Sequence, residues 1–292
     1  MTLQPTTPDA LLARVQRSPQ LLLILDAGLE PELEAIVRKL DHRIWHAWVY
    51  SHTEYASQHR DGPLLIQARS DSPLLQAFMQ PWVRLHWGGL LLSAQSFNTV
   101  LEHLRSQRHA LLPDGTQPLL RLHEPRALRG MVRDMDSLEL DTLLGPVDHW
   151  YWCEWNEGQG DWYGVGHSMP GRGQAANGPL RLSATHLHSL QAQQTQYRNM
   201  QFVRRLLASG IAALDGIDEA TMLTYVQKHT EDAFSRGFEN NEDMLGFLDV
   251  YFRYHDQLFE KQSALASIMG DLKTPAWRRL LRAHALMKGI TA

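Results

Sequence analysis

The residues whose types and spacing could do chemistry come first. Gly166-His167-Ser168-Met169-Pro170 is one residue away from a nucleophile elbow, the strand-turn-helix device that presents a serine to a substrate carbonyl. Pro170 stands where the second glycine must let the chain turn tightly, and neither a strand before the segment nor a helix after it is evident. Ser168 is therefore read as a loop residue. Gly158, Gly160 and Gly164 approach the spacing of a dinucleotide loop, whose glycines bring a helix N-terminus against a pyrophosphate. Val165 to Gly178 cannot build that helix, and no Gly-x-x-x-x-Gly-Lys phosphate loop occurs.

Fifteen histidines invite a metal site, which needs converging ligands at defined spacing. His42 and His46 lie at the edge of an extended segment, where a spacing of four forms no compact chelate. His186 and His188, two apart near a helix start, point in different directions. These histidines are read as surface or core-rim residues. In the acidic run Asp134, Asp136, Glu139 and Asp141, the glycine and glutamate that a calcium loop requires at its sixth and twelfth places are Glu139 and Gly145. The dipole of a short helix accounts for these acids. Cys153 has no basic neighbour to favour its thiolate and is read as a buried bystander. No catalytic, cofactor-binding or metal-binding residue is assigned, and no cofactor is expected.

The elements that would position such groups alternate. Leu21 to Leu25 is a continuous apolar run ending at Asp26-Ala27-Gly28, which suits a strand buried on both faces. Glu30 to Leu40 reads as a helix, Arg43 to Tyr50 and Leu64 to Ala68 as strands, Pro73 to Met79 as a short helix and Trp87 to Ser93 as a strand. Phe97, Leu101 and Leu104 stripe the next helix. Pro113-Asp114-Gly115 marks a hairpin turn. Two short helices follow, Pro125 to Val132 and Ser137 to Leu144, before an aromatic strand from Val147 to Trp155. Strands alternating with helices predict an α/β (or α+β) domain over residues 1–155, with a mostly parallel or mixed sheet flanked by helices. Glycines crowd residues 156–182, read as a linker or extended loop with room for a short strand near Trp162. Residues 183–292 then read as an all-α bundle, with one apolar stripe at Val203, Leu206, Leu207, Ile211 and Leu214 and another at Met222, Leu223, Val226, Ala233 and Phe234.

Composition narrows the class of function. With 43% hydrophobic and 21% charged residues, the 292-residue chain has a globular composition. The formal net charge of -4 gives no overall attraction to nucleic acid or anionic lipid, so neither is expected as a partner. One cysteine permits no internal disulfide, and a reducing cytoplasm is the expected compartment. Met1 to Arg17 lacks the pattern of a signal peptide. The apolar run at Leu21 falls far short of the roughly 20 residues that span a bilayer.

Four segments occur in an order and spacing that match a family: Leu21-Leu22-Leu23-Ile24-Leu25-Asp26-Ala27-Gly28; Trp87-Gly88-Gly89-Leu90-Leu91-Leu92-Ser93; Pro113-Asp114-Gly115 through Leu120-Arg121-Leu122-His123-Glu124-Pro125-Arg126; and Leu144-Gly145-Pro146-Val147-Asp148. Residues 20–155 thereby resemble the domain of type VI secretion effector chaperones, also called adaptors. The resemblance implies a bacterial, non-enzymatic protein that binds a cognate toxic effector in the cytoplasm. It further implies that the protein helps to place the effector on the VgrG-type spike and itself stays behind. An α/β hydrolase or nucleotide-using enzyme with a degenerate motif is the alternative.

In such a family the shared domain is scaffold, and partner choice is expected in the helical half. Met244 to Phe259 carries too many apolar positions for one stripe, so this helix is either the centre of the bundle or presents a face to a partner. On the second reading Phe247, Tyr251 and Tyr254 line an effector groove, and alanine at all three abolishes effector binding with little change in melting. Charge is uneven too. Asp215 to Glu260 holds eleven acids and three bases, whereas Lys273 to Ala292 holds five bases and no acid. Either these are solvated or mutually packed faces, or Lys273, Arg278, Arg279 and Arg282 steer an acidic effector segment.

Overall fold

The computed structural model describes residues 3–156, 159–167, 179–259 and 263–288. The chain divides into two compact units, Met1–Gln193 and Gln194–Ala292.

The first unit opens with β1 (Gln4–Thr6) and α1 (Pro8–Val15), the latter started by Pro8 and capped by the Thr7 hydroxyl, which accepts from the Ala10 N–H. Then come β2 (Gln20–Asp26), α2 (Leu33–Leu40), β3 (Trp45–Trp48), β4 (Pro63–Ala68), α3 (Pro73–Ala77), β5 (Gly88–Ser93), α4 (Phe97–Ser106) and β6 (Ala110–Leu111). The segment Pro113-Asp114-Gly115 makes the expected tight turn, closed by the Leu112 N–H donating to the Thr116 carbonyl at 2.9 Å. Beyond it the two arms pair as a short hairpin, with the Ala110 N–H donating to the Pro118 carbonyl at 3.2 Å, the Leu120 N–H to the Arg108 carbonyl at 2.7 Å and a bridge between His109 and Leu119. After α5 (Pro125–Val132) and α6 (Ser137–Leu144) the chain forms β7 (His149–Asn156), β8 (Gln159–Gly166) and β9 (Leu180–Arg181). In the acidic run, Asp136 and Glu139 cap α6, while Asp134 also accepts from the Ser189 hydroxyl and Asp141 pairs with His167. The Asp136 carboxylate accepts from the N–H groups of Leu138 and Glu139, and Glu139 accepts from the Asp136 N–H, which completes a capping box.

Seven strands form one sheet in the order β1-β8-β7-β5-β2-β4-β3, and every neighbouring pair in it is antiparallel. Only the two-residue pairing of β6 with β9 is parallel among the described strands. The α+β layering with flanking helices is as the sequence predicts; the sheet, expected to be mostly parallel or mixed, is antiparallel throughout its seven strands. The run Leu21 to Leu25 is apolar throughout because both faces of the sheet are covered. Leu22 and Ile24 join a core with Val100, Leu104, Met131 and Leu143 from α4, α5 and α6. Leu21, Leu23 and Leu25 join a second core with Leu11, Leu33, Val37 and Leu74 from α1, α2 and α3. Such a run reports double burial, which parallel sheets show most often, and carries no information on strand direction.

The glycine-rich segment is the clearest departure from expectation. Its first part is β8, which pairs along its whole length with β7 and on its other side with β1. Trp155, Tyr151 and His149 stand opposite Gly160, Gly164 and Gly166, and their rings lie across those glycines. A Cβ at Gly160, Gly164 or Gly166 would come within 2.8, 2.4 or 2.9 Å of the facing ring. Glycine here makes room for cross-strand aromatics rather than flexibility. The rest of the supposed linker, 168–178, lies outside the described residues, and Ser168 with it.

The second unit is helical, as expected. It receives the end of α7 (Ala184–Leu207) and contains α8 (Glu219–Ser235), α9 (Asn241–Phe259), α10 (Ala264–Gly270) and α11 (Ala276–Met287). Phe202, Val203 and Leu206 of α7, Met222 and Val226 of α8, and Met244, Phe247, Leu248 and Val250 of α9 share one core with Leu265, Met269 and Ala283. The helical pattern of α9 breaks at Tyr254 (φ -137°, ψ 31°). Among the described residues no helix is long and apolar enough to cross a membrane.

Candidate functional site

Three of the four segments that carry the resemblance meet around one carboxylate. Asp26 ends β2 and is buried; its backbone N–H donates to the Trp87 carbonyl at 2.6 Å and its Oδ1 accepts from the Gly28 N–H at 3.0 Å. Its Oδ2 accepts from Arg121 Nη2 at 2.6 Å and lies 3.5 Å from Nε2 of the buried His123. Burial alone would raise the Asp26 carboxyl, but the hydrogen bonds and charges of His123 and Arg121 outweigh it and hold the group below its ordinary value of 3.8. Tyr50, buried nearby, has its phenol pushed up to about 12, chiefly by burial. The adjoining void, between Tyr50 and His123, measures about 10 Å³ and admits at most one water. This cluster fastens the end of β2 to the segment before α5. It has no room for a substrate.

Beside the other half of the sheet is a cleft that sequence reasoning missed. A chamber of about 260 Å³ is walled by Leu3, Arg14, His149, Tyr151, Gly164 and His167 among others, and an open cleft of about 600 Å³ bordered by Arg14, Arg17, Asp148 and His149 adjoins it. Arg14 Nη1 donates to the Tyr151 hydroxyl at 2.8 Å, and the His149 ring stacks on Tyr151 with centroids 5.9 Å apart. Burial, reinforced by Arg14, lowers the His149 imidazole below its usual range. His167 is fully engaged, Nδ1 at 2.9 Å from Asp141 Oδ1 and Nε2 at 2.8 Å from the Gly145 carbonyl. It is thus held as a brace between α6 and the end of β8 rather than left to serve as a base. Arg14 and His149 come from opposite ends of the unit, so no local spacing could have announced the cleft.

Cys153 is buried in the second core, and its thiol is pushed up to about 12 by burial and by Asp161 and Glu154. A thiol so raised stays protonated and is a poor nucleophile. Among the described residues no group of three His, Cys, Asp or Glu side chains could hold a metal ion.

In the second unit the seven residues singled out for partner binding separate. Phe247 and Tyr251 are buried in the helical core, and Tyr254 packs against it at the break in α9. The structure thus places α9 at the centre of the bundle, the first of the two readings, its excess of apolar positions satisfied on several sides by α8, α10 and α11. Arg279 is also buried. Its Nη1 donates to the Met269 carbonyl at 2.8 Å, and its guanidinium lies 4.2 Å from the centroid of the Phe238 ring. Its charge is thus turned inward, unlike those of Lys273, Arg278 and Arg282.

Lys273, Arg278 and Arg282 are exposed, as a steering role requires. The structure adds companions to them. Trp277 is 54% and Leu281 64% exposed, one turn apart on α11, and Leu272 just before the helix is 69% exposed. Arg278 lies 5.1 Å from the Trp277 ring centroid. The helical period could have shown this, since Ala276, Leu280, Ala283 and Met287 occupy the inward arc and leave Trp277 and Leu281 opposite.

No curated protein and no solved structure gives a significant match to the chain. Residues 21–142, which enclose Asp26, Arg121 and His123, match the model of a family described as a domain of unknown function, DUF4123.

Proposed function

We propose that this chain is a non-enzymatic adaptor that binds a cognate toxic effector in the bacterial cytoplasm and helps to load it onto a VgrG-type spike of the type VI secretion system. One observation carries this reading. The stretch matched by the DUF4123 model, 21–142, lies within the stretch 20–155 that resembles effector chaperones, and three of the four segments that carry the resemblance converge on the Asp26 cluster, which serves as a fastening. A cluster that fastens the framework and leaves no room for a substrate suits a protein that presents surfaces. For the hydrolase alternative, β8 supplies a strand that ends at Gly166, just before Ser168, but the neighbouring His167 has both ring nitrogens directed to Asp141 and the Gly145 carbonyl.

The test is coexpression with the toxin gene adjoining its own. A complex stable through size-exclusion chromatography, loss of effector solubility or secretion when the chain is deleted, and absence of the chain from the secreted fraction support the adaptor. Failure of the wild-type chain to bind that product, together with a hydrolysis abolished by Ser168→Ala, would replace the adaptor with an enzyme.

A further inference from the structure

The outer face of α11 combines features that a solvated helix does not need. Trp277 and Leu281 are large, apolar and more than half exposed, and Leu272 precedes them in the same condition. Exposed apolar side chains grouped in this way mark interaction surfaces, whereas single ones are ordinary. Around them stand Lys273, Arg278 and Arg282, and from Lys273 to the end of the sequence there is no acid. The nearest acid along the sequence, Asp271, accepts from the Thr274 hydroxyl at 2.7 Å and the Lys273 N–H at 3.1 Å, and its charge offsets part of that of Lys273 and Arg282, which leaves Arg278 the least compensated base of the face.

We propose that this face is where the effector docks, and that the docked piece is an acidic amphipathic segment of it with apolar anchors. The proposal rests on the adaptor reading and adds to it a place and a chemistry. Charge complementarity selects the occupant: a row of three bases interleaved with apolar groups, offset by one acid, Asp271, is matched by carboxylates flanking leucine- or phenylalanine-type side chains. Arg278 and Arg282 are one turn apart, about 6 Å along the axis, so carboxylates one turn apart on a partner helix would meet both. Trp277, with Arg278 lying against its ring, is the natural anchor, because tryptophan and arginine dominate binding energy at such surfaces. A polyanion or a lipid surface is disfavoured by the same unit's other helices, where Asp215 to Glu260 carries eleven acids against three bases.

The experiment uses the full chain and the product of the adjoining toxin gene. Two double variants, Trp277→Ala with Leu281→Ala and Arg278→Glu with Arg282→Glu, are compared with wild type and with Leu138→Ala, an exposed leucine on α6 of the first unit. All should melt close to wild type, since the altered groups are solvated. Each double variant should weaken effector binding by about tenfold or more, and the charge reversal should flatten its salt dependence. Leu138→Ala should bind normally. Lysines replacing the glutamates of the effector's acidic segment should restore binding to the charge-reversed chain. Wild-type binding that both double variants retain in full overturns the docking face and leaves the adaptor standing. Absence of any wild-type complex overturns both. Two further results overturn the proposal: a dimer of the chain that the same variants dissolve, which makes a second copy the occupant, and flotation with anionic vesicles that they abolish.

Discussion

Arg121 reaches back across ninety-five positions to place its guanidinium 2.6 Å from the Asp26 carboxylate, with His123 completing the contact from the same short segment. Because Asp26 is buried and Arg121 is half-exposed, the two ends of this bond contribute unequally. Asp26→Ala should lower stability by about 3 kcal/mol, through loss of the pair and of the acceptor for the Gly28 N–H. Arg121→Ala should lower it by about 1 kcal/mol, since water reaches the site it vacates. Urea unfolding of the two variants measures the asymmetry, and equal losses would contradict it.

The same carboxylate makes stability depend on pH in a defined direction. Its value in the folded protein is below the ordinary 3.8, so the unfolded chain binds a proton more readily than the folded one. The contribution is fully present above the unfolded value and disappears as pH falls below it, through the folded value. Melting temperature should therefore drop on acidification below about pH 4, and the drop should be shallower in Asp26→Asn. A wild-type and variant pair with parallel curves would exclude Asp26 as a source.

Gly164 separates a strand from a linker. Its added Cβ would sit 2.4 Å from the Tyr151 ring, so Gly164→Ala should destabilise by about 2 kcal/mol as that ring is displaced. At Gly270, where no heavy atom lies within 4 Å, alanine should be neutral or slightly stabilising. Thermal melts of both variants decide the matter. A neutral Gly164→Ala would return β8 to the status of a loop.

Phe247 and Cys153 test the interior. Phe247→Ala should cost about 3–5 kcal/mol by leaving a cavity in the helical core, visible as a large fall in melting temperature before any effect on binding is considered. The Cys153 thiol, pushed up to about 12, should resist a disulfide reagent at pH 8 in the folded chain and react promptly once urea unfolds it. Rapid labelling of the native protein would show the β7 region to be open.

By itself the sequence determined the order of most elements, the presence of two differently built halves, and the doubly buried central strand, because apolar periodicity and turn chemistry are local properties. The capping box at Asp136 and Glu139 appears only in the structure, since the acids alone suggest no more than a favourable helix dipole. Three further matters lay beyond the sequence. Strand direction was decided by pairing, since Leu21 to Leu25 is equally apolar in either kind of sheet once helices cover both faces. The glycines of β8 took their meaning from Trp155, Tyr151 and His149 on the neighbouring strand, which no spacing within the segment reveals. In the helical half, Phe247, Tyr251 and Arg279 were drawn inward while Trp277 and Leu281 were left outside. Composition names which residues are apolar or charged, but only the packing of α11 against its neighbours decides which of them water still reaches.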